Sequence, residues 1–416
     1  MQQHELELYA DLIVKIGINV QPGQGVSIGA ELGHAEFVRV LVAAAYKAGA
    51  KYVRLTWNDD PSSKARFLHS QPDYLEYLPA YEVATAHTML DEGWARISLT
   101  GSEFPDIFDD VDPALMRKSR VARSKQLGFF MKAMMANQVQ WCVSAVPTPA
   151  WAHKVFPALP ADEALARLWD MVLMTVRADQ PDPIAAWQQH DKKLHHITEL
   201  MAQHQVRGVH FFDPTLVDGK PSTDLTVGLT DAPQWVAASS VSQNGVRFLP
   251  NMPTEEIFTT PHNAHVDGYV RTSKPGFPFE REIRNAYFKF ENGIVTDYHA
   301  EVGQDVLAQL FEINGARQLG EVALVDVRSP INQSGLIFYD TLFDENAVCH
   351  IAFGRAYPEG IVGAHEMSED ALAAFGLNNS DAHEDLMIGT NTMYVTGLCD
   401  DGTTVPVMRD GQFVIA

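Results

Sequence analysis

Cysteine is scarce and scattered: Cys142, Cys349 and Cys399 are all that 416 residues contain. An odd number of distant thiols, each beside apolar neighbours, excludes a disulfide framework and a thiolate-held zinc. It fits buried thiols in a reducing compartment. Basic charge is also short. Lys and Arg number 31 against 53 Asp and Glu, for a formal net charge of −22. Such a chain repels phosphate backbones. The short runs Arg117-Lys118-Ser119-Arg120 and Lys192-Lys193 read as solvated helix faces, so no nucleic-acid partner is expected. No uninterrupted apolar run approaches the roughly 20 residues that span a bilayer. Met1 to Tyr9 carries Gln, His and Glu in place of a basic start and an apolar stretch, so no secretory leader is expected. The expectation is a cytoplasmic protein without a membrane partner.

The familiar catalytic signatures are missing too. His365-Glu366 and His383-Glu384 lack the second His of the His-Glu-x-x-His zinc motif. There is no Gly-x-Ser-x-Gly elbow and no Walker loop. Gly23-Gln24-Gly25 begins a dinucleotide pattern, but the third glycine falls one place late, at Gly29, and the run precedes a strand instead of following one.

What is present suffices for two sizeable cores. Apolar residues make up 46% and charged residues 20% of the chain, an ordinary globular balance. The first half alternates helix and strand patterns. Leu8, Leu12 and Ile16 share a helical stripe. Gly25-Val26-Ser27-Ile28 reads as a strand, 35–48 as a helix stopped by Gly49, and 52–57 as a strand. Helical patterns cover 113–137, 161–176 and 183–204, with strand-like runs at 139–145 and 208–213. This order predicts an α/β domain with a mainly parallel sheet. After about Asp231 helical periodicity thins. Asn292-Gly293 and Asp410-Gly411 each sit between alternating runs and predict hairpins. The second half therefore reads as an α+β domain, and the boundary is expected near residue 233.

Metal-ligand residue types concentrate in the second half. In Asn251-Met252-Pro253-Thr254-Glu255-Glu256-Ile257-Phe258 two adjacent carboxylates read either as a helix start capped by Thr254 or as ligands. Glu321 opens an apolar strand, where an exposed edge charge is the ordinary alternative. The stretch 347–357 can form a helix stopped by Pro358, with His350 and Tyr357 on one face. An apolar helix carrying a His needs a partner for it, and a metal is one option beside a core hydrogen bond. His383 and Asp385 point to one side of an extended chain, with Glu384 opposite. Together Glu255, Glu321, His350, His383 and Asp385 exceed the three ligands usual for one catalytic zinc. They suit two divalent ions sharing a carboxylate.

These segments resemble the thermophilic-type metalloaminopeptidases of peptidase family M29, the group of aminopeptidase T, aminopeptidase S and PepS. The matching motifs lie at 251–262, 319–325, 334–347 (Ser-Gly-Leu-Ile-Phe-Tyr-Asp-Thr-Leu-Phe-Asp-Glu-Asn-Ala), 354–359 (Gly-Arg-Ala-Tyr-Pro-Glu) and 383–389 (His-Glu-Asp-Leu-Met-Ile-Gly). The resemblance implies metal ligation by Glu255, Glu321, His350, His383 and Asp385, with Glu321 bridging. It places Tyr357 beside the reacting carbonyl. It leaves Glu256 as a group supporting a ligand or as the general base. It implies zinc, cobalt or a similar ion, peptide substrates with a free N-terminus, and a homodimer. His262 and His265 read as loop histidines or as groups near the substrate. Two competing readings are a mononuclear non-haem iron ring-cleaving dioxygenase built on His350, His383 and Asp385, and a binding protein that kept the cleft.

Overall fold

The computed structural model describes residues 3–416. They form two compact units, one running to Gln188 and taking in Ser239–Pro253, the other comprising Gln189–Ala238 and Thr254–Ala416. The break expected near residue 233 lies inside the second unit. The chain returns to the first unit at Ser239 because its short strand Asn251–Met252 pairs in parallel with Trp141–Ala145.

The first unit is the expected α/β layer. Its sheet runs Tyr52–Asn58, Gly25–Glu31, Ala95–Thr100, Trp141–Ala145, Asn251–Met252, with every pairing parallel. Local chemistry sets the helix ends. Asp59 accepts from the Ser62 amide to cap Asp60–His69, and Thr148 accepts from Trp151 to cap Pro149–Val155. Tyr9, Phe37, Val26 and Ile28 are fully or almost fully buried against one sheet face.

The second unit holds two antiparallel sheets. The larger orders Ile294–His299, Tyr287–Glu291, Pro261–Arg271, Lys220–Leu229, Val206–Val217, Tyr394–Cys399, Thr404–Arg409, Gln412–Phe413. Both expected hairpins are there. Asn292 (φ 51°) and Gly293 (φ 82°) turn one, and Asp410 (φ 51°) and Gly411 (φ 68°) the other, the left-handed pairs that match strand twist. The smaller sheet orders Glu256–Thr259, Leu319–Val325, His350–Gly354, His383–Met387. Its two middle strands are buried along their whole length. Phe353 of this sheet packs on Phe288 and Phe290 of the larger one, with centroids 4.8 and 5.9 Å apart.

Two local expectations fail here. The stretch 347–357 is not a helix: His350–Gly354 is a strand. Thr254 caps no helix, and Glu256–Thr259 is a strand. A short continuous apolar run is compatible with either a buried helix or a buried strand. The paired neighbours on both sides of His350–Gly354 decide it.

Candidate metal centre

The register of the small sheet gathers the polar side chains on one face. Glu321 lies opposite Ala352, and Ala352 opposite Asp385. Ala323 lies opposite His350, and Gly354 opposite His383. Side chains two apart along a strand share a face, so Glu321, His350, His383 and Asp385 rise from the same side. Ala323, Ala352 and Gly354 form a floor without bulk between them. Gly354 has φ +97°, and a Cβ there would meet the Ala382 carbonyl at 2.2 Å, so this position next to His383 is closed to other residues.

The first strand adds one carboxylate to that face. Glu256 pairs with Val325 and Phe258 with Ala323, which puts Glu256 in phase with Glu321. Glu255 is out of phase by one residue. Its carboxylate lies 3.5 Å from His190 Nε2, and its backbone amide donates to Asn346 Oδ1 at 2.7 Å.

Distances follow the register. His350 Nε2 is 3.3 Å from Glu256 Oε2, 3.8 Å from Glu321 Oε1 and 3.8 Å from Asp385 Oδ1. His383 Nε2 is 3.6 Å from Glu321 Oε2 and 3.6 Å from Asp385 Oδ2. Glu321 and Asp385 thus each turn one oxygen to either imidazole. Among the described residues, Glu256, Glu321 and His350 form one group whose ligand atoms lie within 4.8 Å of one another, and Glu321, His383 and Asp385 form a second. Glu321 belongs to both. Sequence reasoning places Glu321, His350, His383 and Asp385 here. Of the adjacent pair, the structure brings in Glu256, where spacing favoured Glu255.

Burial and charge give the cluster its character. Glu256, Glu321 and His350 are buried, at 7%, 6% and 1% exposure. Burial, and then Glu321 and Asp385, push the Glu256 carboxyl up to about 8, against the pull of His350 and His383. Burial alone would lower His350, but Glu321, Glu256 and Asp385 outweigh it and hold the imidazole at about 10. His383 is raised the same way, burial being overcome by Asp385 and Glu321. A fourth carboxyl, Glu345, is raised well above its ordinary range by burial and then by Asp385, Glu256 and Glu321. Sequence reasoning assigned no role to Glu345. Its only sequence signal is a charge set between Phe343 and the apolar run from Ala347.

This donor set fits divalent cations. Among the described residues the buried Glu256 Oε2 atom has no hydrogen-bond partner, with the His350 imidazole 3.3 Å away, a setting in which a bound cation would offset the cost of burying the carboxylate. His383 Nδ1 lies 2.7 Å from the Arg355 carbonyl. It donates there and turns the Nε2 lone pair toward the carboxylates, as metal-binding histidines do. Two imidazoles with several carboxylates suit zinc, cobalt and similar ions. The ring of Tyr357 stands 4.5 Å from that of His383. Burial, then Glu321 and Asp385, hold its phenol well above the ordinary value, so it stays protonated. His262 and His265 stack on each other at 3.8 Å and enter neither ligand group.

Comparison with known proteins identifies the family. The family model described as thermophilic metalloprotease (M29) matches residues 2–413. The chain is 39% identical over 412 residues to aminopeptidase 2 of Geobacillus stearothermophilus, covering 99% of this chain and 98% of that one. It is 36% identical over 414 residues to aminopeptidase T of Thermus thermophilus, covering 99% of each. The solved structure of wild-type AmpT from Thermus thermophilus superposes with a TM-score of 0.90 at 35% identity, over 99% of this chain and 100% of that one. With nearly its whole length matched by family model, relatives and structure, the chain belongs to the thermophilic metalloprotease family M29.

Proposed function

We propose that the protein is an aminopeptidase that hydrolyses the N-terminal peptide bond of peptides at a centre for two divalent ions. The observation that carries this reading is the split arrangement of Glu321 and Asp385, each offering one oxygen toward His350 and the other toward His383. In it Glu256, Glu321, His350, His383 and Asp385 would hold the ions, Glu321 belonging to both groups of donors. Glu255 supports the segment through His190 and Asn346. Ions bound there supply a water of lowered pKa and polarise the scissile carbonyl.

The chain's own groups do the rest. Tyr357, kept protonated by its surroundings, donates a hydrogen bond to the oxyanion that develops at the carbonyl. Burial, then Asp385, Glu256 and Glu321, raise the Glu345 carboxyl well above its ordinary range; with the cluster's charge offset by bound cations it would ionise, take the proton of the attacking water and pass it to the leaving amine. The excess of carboxylates attracts the substrate's terminal ammonium. A single-iron site of His350, His383 and Asp385 would leave Glu256 and Glu321 without a role, so the dioxygenase reading gains nothing from the arrangement.

The remaining features of this reading are zinc or cobalt as the ion, a homodimer and a cytoplasmic location. They rest on the donor types, the family and the three unpaired thiols. No helix among the described residues is long and apolar enough to cross a membrane.

The test is amino-acid release from unblocked and N-acetylated peptides before and after treatment with chelator. Release is expected only from unblocked peptides, lost with chelator and restored by zinc or cobalt. Equal cleavage of acetylated peptides would overturn the aminopeptidase reading.

A further inference from the structure

We propose that the first unit carries a second binding site, for an oxyanion, in which Arg54, Arg96 and Arg123 clasp a phosphate or carboxylate group on the open face of the parallel sheet. Register creates the juxtaposition. Arg54 lies opposite Ser27, and Ser27 opposite Arg96. The two arginines therefore flank one strand, with Cα atoms about 9–10 Å apart at two strand spacings, and rise from the same face. The helix Pro113–Met135 covers this face beside them. Its Phe130 ring lies 5.5 Å from the Arg96 guanidinium, and its Arg123 repels Arg96 electrostatically.

Among the described residues these cations have few partners. Arg54 Nη1 donates to Thr56 Oγ1 at 2.7 Å and Arg96 Nε to Ser98 Oγ at 3.2 Å. Among the described residues, of these three only Arg123 pairs with a carboxylate, Glu82 at 2.8 Å. Burial lowers Arg96, and Arg123 and then Arg54 lower it further, with no acid opposing them. A half-buried guanidinium facing like charge is costly until an anion joins it. In a chain of net charge −22, two arginines flanking one strand, with a third on the helix beside them, make a local concentration of positive charge.

The space is there. One step along the strands, Thr56, Gly29 and Ser98 form the next row. A Cβ on Gly29 would meet nothing nearer than the Ile97 carbonyl at 4.0 Å. In a parallel sheet with helices on both faces such a floor is normally covered. The forked donors of arginine match phosphate and carboxylate oxygens two at a time.

The experiment is calorimetric titration of the metal-loaded full chain with inorganic phosphate and, separately, with succinate, each against chloride at matched ionic strength. Binding beyond chloride by either is expected, and which one binds identifies the source of the oxyanion. Arg54→Gln, on the sheet's edge strand, should weaken that binding at least tenfold and leave peptidase turnover unchanged. Arg96→Lys should weaken it by a similar factor. Should neither anion exceed chloride, or should both variants bind as the unaltered chain does, there is no such site.

Discussion

At the scale of single residues, the centre depends on which of two adjacent carboxylates faces it. Glu256 shares the pleat of Glu321, and Glu255 points to His190. Glu256→Gln should therefore lower bound metal below that of the unaltered chain at saturating ion, and turnover by on the order of a hundredfold. Glu255→Gln should keep full metal at saturation and lose about 10–100-fold in metal affinity, as for groups that support ligands. Elemental analysis beside kinetics separates the two, and the reverse pattern would return the ligand role to Glu255. Tyr357→Phe tests the phenol. Metal content and KM should hold while kcat falls by roughly 10²–10³, the cost of one oxyanion donor.

At the scale of elements, a four-stranded sheet does the assembling. Its register sets Ala352 between Glu321 and Asp385, and this small residue leaves the floor on which the cluster stands. Ala352→Leu should leave far-ultraviolet circular dichroism unchanged and abolish metal binding, because the added side chain would stand where the ligands converge. Retention of full metal would show that the floor does not shape the centre. The same sheet explains why His350 was hard to place from sequence. Val348 to Phe353 is apolar apart from its histidine, and such a run carries no alternation to mark it as a strand. Its helical reading put His350 and Tyr357 on one face. In the strand they come to the same centre by another route, the irregular stretch after Gly354 carrying the Tyr357 ring to 4.5 Å from that of His383.

At the scale of the whole molecule, the buried charges couple stability to pH and metal. Without metal, Glu256 at about 8 and His350 at about 10 sit above their unfolded values near 4.5 and 6.5. A raised group stabilises fully below its unfolded pKa and loses that contribution as pH rises through its folded one. The chelated protein should therefore become less stable as pH climbs from about 4.5 to 8 on account of Glu256, and from about 6.5 to 10 on account of His350. Metal requires both groups deprotonated, so its binding releases protons and tightens as pH rises. Calorimetric melting across this range, with chelator and with zinc, should show the two curves diverging toward alkaline pH. Parallel curves would mean that these groups do not titrate with the metal.

Residue order alone determined a good deal. Alternating patterns marked the parallel α/β unit, and Asn-Gly and Asp-Gly marked both hairpins, because turn chemistry and periodicity are local. Motif spacing marked Glu321, His350, His383 and Asp385, because the residue types that bind hard and borderline cations are few. Only the tertiary structure set Glu256, and not Glu255, on the face of the cluster, brought Glu345 into its field, and placed Arg54 and Arg96 on either side of Ser27. Each depends on strand register and burial, which are set by neighbours tens of residues away and leave no periodic trace in the chain.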